Sequence, residues 1–254
     1  MAGVMTLRHG WGELRSLPAR GWAMVTAAAL LIAANWGLFI YGVAIGHVVE
    51  IALGYYIGPL INVVLGVLVL RERPRPMQWV ALAVATAAVM VIAVGDGRVP
   101  WLGLALAVSF GTYGLIKKTV PLSSTTSLTA EGVVLGLPAL ALVVVLELAG
   151  VGTLTGHGAV HVALLISAGP VTAVPLLLYG AAARRIPLTT LGTLMYLTPT
   201  LQFLWGVLVV GEAMPAERWV GFGLVWLALV IFTVDLLRSR TAPVAVPDAV
   251  ARAR

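Results

Sequence analysis

Eight apolar stretches of helical length, separated by short breaks rich in arginine, glycine and proline, dominate this chain. They run roughly over residues 22 to 43, 51 to 70, 77 to 95, 100 to 116, 129 to 149, 161 to 181, 191 to 210 and 218 to 237. In hydrocarbon every backbone N–H and C=O must find its partner inside the protein, and about 20 apolar residues wound as a helix cover a bilayer core. Composition agrees: 60% of the residues are hydrophobic and 10% charged, against about 25% charged in an ordinary soluble domain. The expected class is therefore an all-α, polytopic membrane protein with eight transmembrane helices. The apolar run over 22–45 follows Arg8, Arg15 and Arg20, but it is too long for a signal-peptide core and more spans follow it, so it reads as a retained first helix.

The charges test this division. Fourteen of the sixteen basic residues fall in loops and termini on one side of the predicted spans; only Arg98 and Arg218 fall on the other. Positive residues collect on the cytoplasmic side, so both termini are expected there, in an inner membrane. The pairs Lys117–Lys118 and Arg184–Arg185 read on this basis as orientation charges. The net charge of +6 does not point to nucleic acid, because the basic residues punctuate apolar spans instead of forming a patch on a soluble face. Cysteine is absent, which removes disulfides, thiolate catalysis and cysteine metal sites together. Residues 1–21 read as a cytoplasmic lead-in and 241–254, TAPVAVPDAVARAR, as a disordered cytoplasmic tail.

A self-comparison reveals an internal repeat. The segment YIGPLINVVLGVLVLRE beginning at Tyr56 matches YLTPTLQFLWGVLVVGE beginning at Tyr196, at a constant offset of 140 residues. Tyr56 aligns with Tyr196, Pro59 with Pro199, Gly66 with Gly206, Glu72 with Glu212 and Trp79 with Trp219; over 51–94 against 191–234, 11 of 44 positions are identical. The second copy begins five spans after the first, an odd number, so the two copies are expected to cross the membrane in opposite directions. Inverted repeats of this kind characterise transporters, whose two halves rock about a site near the midplane.

At these residues the chain resembles the EamA branch of the drug/metabolite transporter superfamily, where a proline-bearing helix runs into a glycine, a glutamate and a downstream tryptophan. More narrowly it is similar to the RarD-like permeases, through NWGLFIYGVAIGHVVEIALGYYIGPL (35–60), SLTAEGV (127–133), AAARRIPLTTLG (181–192) and YLTPTLQFLWGVLVVGE (196–212). The resemblance covers roughly residues 11–238 and implies ten helices in two inverted five-helix halves, and a link to chloramphenicol sensitivity. On that pattern residues 22–95 form a partial first repeat of three helices, 96–240 a second repeat of five, and the first two helices of the family are expected to be absent. Gly58 stands where the subfamily is expected to have Asn.

Several polar residues interrupt the apolar runs. His47 and Glu50, three apart, share a helix face; they read either as an interfacial pair at a helix start or, for Glu50, as a substrate or proton site facing a water-filled path. Gly54, Gly58, Asn62 and Gly66 recur every four residues and form a stripe suited to close helix approach, Gly54 and Gly58 as a GxxxG pair. Pro59 and Pro199 each withdraw a backbone donor, freeing the carbonyls of Tyr55 and Met195, and each is followed three residues later by an amide, Asn62 or Gln202. These amides read as interhelical glue or as cavity lining. Tyr55, Tyr56 and Tyr196 suit either stacking on a flat substrate or core packing. Asn35, beside Trp36 in mid-span, needs a partner helix or a ligand. Glu131 opens a span, where the helix dipole favours it or a substrate or proton would use it. Glu72 and Glu212 suit turn or helix-start roles, and Gly206 repeats the packing role of Gly66. His157 and His161 offer only two metal ligands, so no metal and no cofactor are assigned.

No G-x-x-x-x-G-K-[ST] phosphate loop is present, so ATP hydrolysis by this chain is not expected. Nor is there a cluster of catalytic groups at one depth. The reading is an alternating-access permease for a small organic solute, metabolite or drug, with proton coupling left open and the lipid bilayer as surroundings. The alternative is a truncated, non-transporting paralogue or a membrane scaffold that forms homo-oligomers.

Overall fold

The computed structural model describes residues 11–95, 99–205, 208 and 216–241. The expectations for residues 1–10, for the tail after Thr241 and for Arg98, Gly206 and Glu212 lie outside it, as do those for the side chains of Glu50, Pro199 and Gln202. The described residues are helical: α1 (Trp11–Arg15), α2 (Ala19–Ala44), α3 (Val48–Leu68), α4 (Pro76–Gly95), α5 (Trp101–Thr119), α6 (Ser124–Leu148), α7 (Gly158–Arg185), α8 (Leu188–Met195), α9 (Leu197–Trp205) and α10 (Ala216–Thr241). Each apolar stretch predicted from the sequence coincides with one helix except the seventh, which is split between α8 and α9. Among the described residues four segments are long and apolar enough to cross a membrane: α2, Ile51–Leu68 within α3, α6 and α7; α4 and α10 carry shorter apolar stretches.

Two packed units interleave along the chain. The first comprises residues up to Glu72 and Val99–Pro199. Here α5 is central: it packs along α3, α2 and α7, while α8 lies against α3. In the second unit α4 packs along α10 through Ala81, Ala85 and Ala88 and through Phe222, Val225, Ala228 and Phe232, all buried. Buried Asp235 of α10 faces Arg75 at 3.7 Å.

The stripe of small residues on α3 does not act uniformly. A Cβ at Gly54 would sit 2.9 Å from the Gly103 carbonyl oxygen, so this glycine and Gly103 bring α3 and α5 into backbone contact. A Cβ at Gly58 would meet nothing within 4 Å. The expected GxxxG pair is thus half packing and half open space. At Gly66 a Cβ would lie 2.7 Å from a Glu72 carboxylate oxygen, and at Gly192 of α8 one would lie 2.7 Å from the Pro59 carbonyl oxygen.

The two repeat prolines have different outcomes. α3 runs through Pro59 without interruption, whereas α8 ends at Met195, Tyr196 forms a turn and α9 starts at Leu197, ahead of Pro199. Proline removes the donor that would close the turn on Met195. Pro59 is fully buried between helices.

Charged groups tie helix ends together in the first unit. The Glu72 carboxylate accepts from the backbone N–H of Leu188 (2.7 Å) and Thr189 (2.9 Å), so it caps the distant helix α8 and not the helix that follows it in its own loop. Lys118 donates to the Ile186 carbonyl (2.6 Å) at the end of α7 and lies 3.7 Å from Glu72. Replacing Glu72 by alanine is expected to cost about 1 kcal/mol, the usual worth of a cap, and to appear as faster amide exchange at Leu188 and Thr189. Glu13 of α1 accepts from the Ser123 N–H (2.9 Å) at the start of α6, and that bond holds its carboxyl below the usual range. A carboxyl with a depressed folded pKa stabilises above its unfolded value and loses that contribution as the pH falls. Protection of the Ser123 amide should therefore drop in acid, and Glu13→Gln should abolish that dependence.

Candidate functional site

A cavity of about 300 Å³ lies inside the first unit, between α2, α3, α5, α7 and the α8–α9 break. Its aromatic wall follows from helical spacing. Trp36 and Phe39 lie on one face of α2, and Tyr55 faces them from α3. The rings meet edge to face, Trp36–Phe39 at 6.3 Å and Phe39–Tyr55 at 6.4 Å between centroids, the arrangement that ring quadrupoles favour. Phe110 of α5 closes another side, and Gly58 leaves room because it has no side chain. Polar lining comes from Asn35, Thr198 and the sulfur-bearing Met195; no ionised side chain is among the described lining residues.

Asn35 finds the partner helix that a mid-span amide requires. Its Nδ2 donates to the Leu106 carbonyl (2.9 Å) and to Ser109 Oγ (2.8 Å) on α5. The carbonyl accepts only, which fixes the amide orientation and turns Oδ1 toward the remaining space. Asn35 is both glue and lining.

Asn62 is fully buried below the cavity, where α3, α5, α7 and α8 converge, and its Nδ2 reaches Met195 Sδ at 3.0 Å. The Tyr179 hydroxyl and the Asn62 carboxamide oxygen both lie beside Gly114. A Cβ at Gly114 would strike that hydroxyl, so glycine is required there.

Glu131 is not held by the dipole of α6 alone. Its Oε1 pairs with Lys117 Nζ at 2.6 Å and accepts from Ser127 Oγ at 2.9 Å, and its Oε2 accepts from the Tyr113 hydroxyl at 3.2 Å. Lys117 also donates to Ser127 Oγ at 2.8 Å, and its Cε fits over Gly180 of α7. Both charged side chains are buried, at 1% and 3% exposure. This corrects the reading of Lys117 as an orientation charge: it sits inside the helix packing, a position that apolar context disfavours unless the charge is paired. A sequence offers no periodic signal for a pair fourteen residues apart on two different helices.

The other expected residues are distributed differently. Tyr55 lines the cavity, while Tyr56 and Tyr196 are buried in helix packing. His47 is the N-terminal flanking residue of α3 with an exposed side chain, and Gly54 lines the cavity at the α3–α5 contact. The His157 and His161 rings lie 5.1 Å apart, and among the described residues no group of three metal-ligating side chains forms. Sequence reasoning missed Phe39, Phe110, Tyr113, Lys117, Tyr179, Met195 and Thr198. Phe39 was accessible from its spacing to Asn35 and Trp36; the rest need the tertiary contacts.

Comparison with known proteins places this geometry. The EamA-like transporter family profile matches residues 1–94. Protein RarD of Streptomyces exfoliatus is 51% identical over 238 residues, covering 93% of this chain and 75% of that protein. An uncharacterized transporter of Pseudomonas aeruginosa is 46% identical over 231 residues, covering 90% and 76%. A crystal structure 17% identical in sequence shares the fold, with a TM-score of 0.64 over 94% of this chain and 85% of that one. The long apolar helices, the internal cavity and identity across most of the length agree that this multi-pass membrane protein belongs to the EamA-like transporter family, in its RarD branch.

Proposed function

We propose that this chain is a permease that carries a small, flat, uncharged organic solute through the central cavity by alternating access. The cavity is the observation that carries the reading: three edge-packed aromatic rings and Phe110 surround a space the size of one small ring system, with the Asn35 amide and the Tyr55 and Thr198 hydroxyl groups for orientation. Ionised groups are absent from the described lining, so a solute with a full charge would lose its hydration without compensation.

The transport cycle rests on the internal repeat. Residues 22–95 and 96–240 act as two antiparallel, related halves that rock about the cavity, in the inner membrane with the basic loops and both termini in the cytoplasm. All eight apolar stretches span. Glu50, at the start of α3, is the candidate for a proton or substrate group at the opposite face, with His47 beside it on the sequence. The amides Asn62 and Gln202, equivalent in the repeat, serve the two halves alike.

The test is tracer counterflow in proteoliposomes, with labelled chloramphenicol and a panel of neutral aromatic solutes. Preloaded solute should accelerate tracer entry, and Trp36→Ala with Phe39→Ala should lower that entry at least tenfold while the protein still elutes as a monodisperse species. Glu50→Gln should leave counterflow in place and abolish gradient-driven accumulation if that carboxylate carries the proton. The oligomerising-scaffold reading draws on the exposed leucines and valines of α6 and α7, which lipid covers equally well; it gains ground if no panel member shows counterflow.

A further inference from the structure

Asn35 is the only amide among the described residues that line the cavity, and its two ends are used unequally. An asparagine carboxamide offers two donors on Nδ2 and two acceptor positions on Oδ1. Both donors are engaged inside the protein, one by the Leu106 carbonyl at 2.9 Å and the other by Ser109 Oγ at 2.8 Å. Ser109 gives its own proton to the Leu106 carbonyl at 3.0 Å, so its oxygen faces Asn35 as an acceptor. Turning the amide over would set its oxygen against the Leu106 carbonyl oxygen with no proton between them, which fixes the orientation.

No donor among the described residues reaches Asn35 Oδ1. The contrast with Asn62 is in access. Asn62 is 0% exposed and its Oδ1 is enclosed, beyond the reach of a solute. Asn35 is half-buried and its Oδ1 is not enclosed, so the oxygen opens on the cavity that the residue lines. The other polar groups of the lining impose no such demand: the hydroxyls of Tyr55 and Thr198 rotate and serve as donor or acceptor, and the Trp36 indole only donates.

We infer that Asn35 is the specificity-determining residue of the cavity, a fixed hydrogen-bond acceptor that selects flat neutral solutes carrying an N–H or O–H group at the ring edge. The inference rests on the permease reading and names the solute class of that same cavity. A solute that turns an ether oxygen, a carbonyl oxygen or a methyl group to Asn35 strips water from Oδ1 without replacing the hydrogen bond. A site built to hydrogen-bond a donor rejects the analogue lacking it more strongly than an apolar pocket rejects a change of one methyl group. Phe39 follows Asn35 by one turn of α2, and Phe110 adjoins Ser109 on α5, so two of the rings that would hold the solute plane stand on the same two helices as the acceptor and its support.

The test uses three planar probes: benzimidazole, which carries a ring N–H; benzoxazole, in which oxygen replaces that N–H at nearly equal size; and 1-methylbenzimidazole. Isothermal titration calorimetry of the full chain in nanodiscs, at a pH where all three are neutral, measures binding, with empty nanodiscs subtracted for partitioning into lipid. The parent should bind benzimidazole about tenfold more tightly than either analogue, the usual consequence of leaving an acceptor unpaired. Asn35→Leu should remove that preference and bring the three affinities together. A merely structural Asn35 would lower all three affinities in Asn35→Leu and leave their ratio unchanged, which overturns the inference. Equal affinities in the parent overturn it too, as does a parent that binds none of the three.

A second measurement does not depend on Asn35→Leu folding. The chain has two asparagines, Asn35 and Asn62, so asparagine labelled with carbon-13 at Cγ gives two carboxamide signals, assigned by the loss of one in Asn35→Leu or in Asn62→Leu. Benzimidazole should move the Asn35 signal downfield and benzoxazole should not, while the Asn62 signal stays in place. An Asn35 signal that ignores benzimidazole, or follows both probes alike, overturns the inference. Counterflow separates the two readings. Equal counterflow of benzimidazole and benzoxazole overturns the selection by Asn35 and leaves the permease standing; preferential binding of benzimidazole with no counterflow of any solute overturns the permease and leaves the acceptor site standing.

Discussion

Truncating Glu131 to alanine while Lys117 remains is expected to destabilise the protein by about 3–5 kcal/mol, the range for stranding one partner of a buried ion pair. The expectation follows from burial and geometry together. Lys117 Nζ has two partners, Glu131 Oε1 and Ser127 Oγ, and no route to solvent at 1% exposure. Removing the carboxylate leaves a cation with one hydroxyl for company, packed against the Tyr113 ring at 5.6 Å, an interaction too weak to replace an ion pair. The double variant Lys117→Met, Glu131→Gln strands no charge, and glutamine can accept from the Tyr113 hydroxyl through its one carbonyl oxygen while its amide nitrogen donates to Ser127 Oγ. It should recover most of the loss. Thermal unfolding in detergent, followed by size-exclusion chromatography, measures both. Equal instability of the single and double variants would mean that helix packing at this site needs the ion pair itself and that charge stranding is not the cause.

The second large effect separates two glycines one helical turn apart. Gly54→Leu is expected to prevent proper assembly, because its Cβ meets backbone atoms, the Gly103 oxygen at 2.9 Å and Cα at 3.1 Å, which have no rotamer to yield. Overpacking of this kind costs about 1–3 kcal/mol or more. Gly58→Leu meets nothing within 4 Å at Cβ and extends into the cavity, so the thermal midpoint should stay near that of the parent while counterflow falls tenfold or more. Should Gly58→Leu transport normally, the cavity is not the solute path. A fold that tolerates Gly54→Leu would remove the α3–α5 contact from its structural role.

These two cases show how far reading along the chain can go. The stripe of Gly54, Gly58, Asn62 and Gly66 is visible as a period of four, and close helix approach follows from it. Which glycine packs and which opens a cavity is not visible, since that depends on which atoms of other helices stand opposite each one in the folded chain. Asn35 similarly announces a need for a partner, and only the folded chain names Leu106 and Ser109. Glu72 announces a helix start, but the helix it caps lies more than a hundred residues away. Repeat symmetry predicts similar behaviour at Pro59 and Pro199, yet α3 continues where α8 stops.

By itself the sequence determined the membrane, the helices and the family, because these follow from local terms: the cost of unsatisfied backbone in hydrocarbon, the length of an apolar run, the order of the motifs along the chain. Tertiary structure alone decided the cavity and the pairing of Lys117 with Glu131. Those depend on side chains from separate helices arriving within hydrogen-bonding distance, and a Coulomb or hydrogen-bond energy is set by distance in space, which order along the chain does not encode.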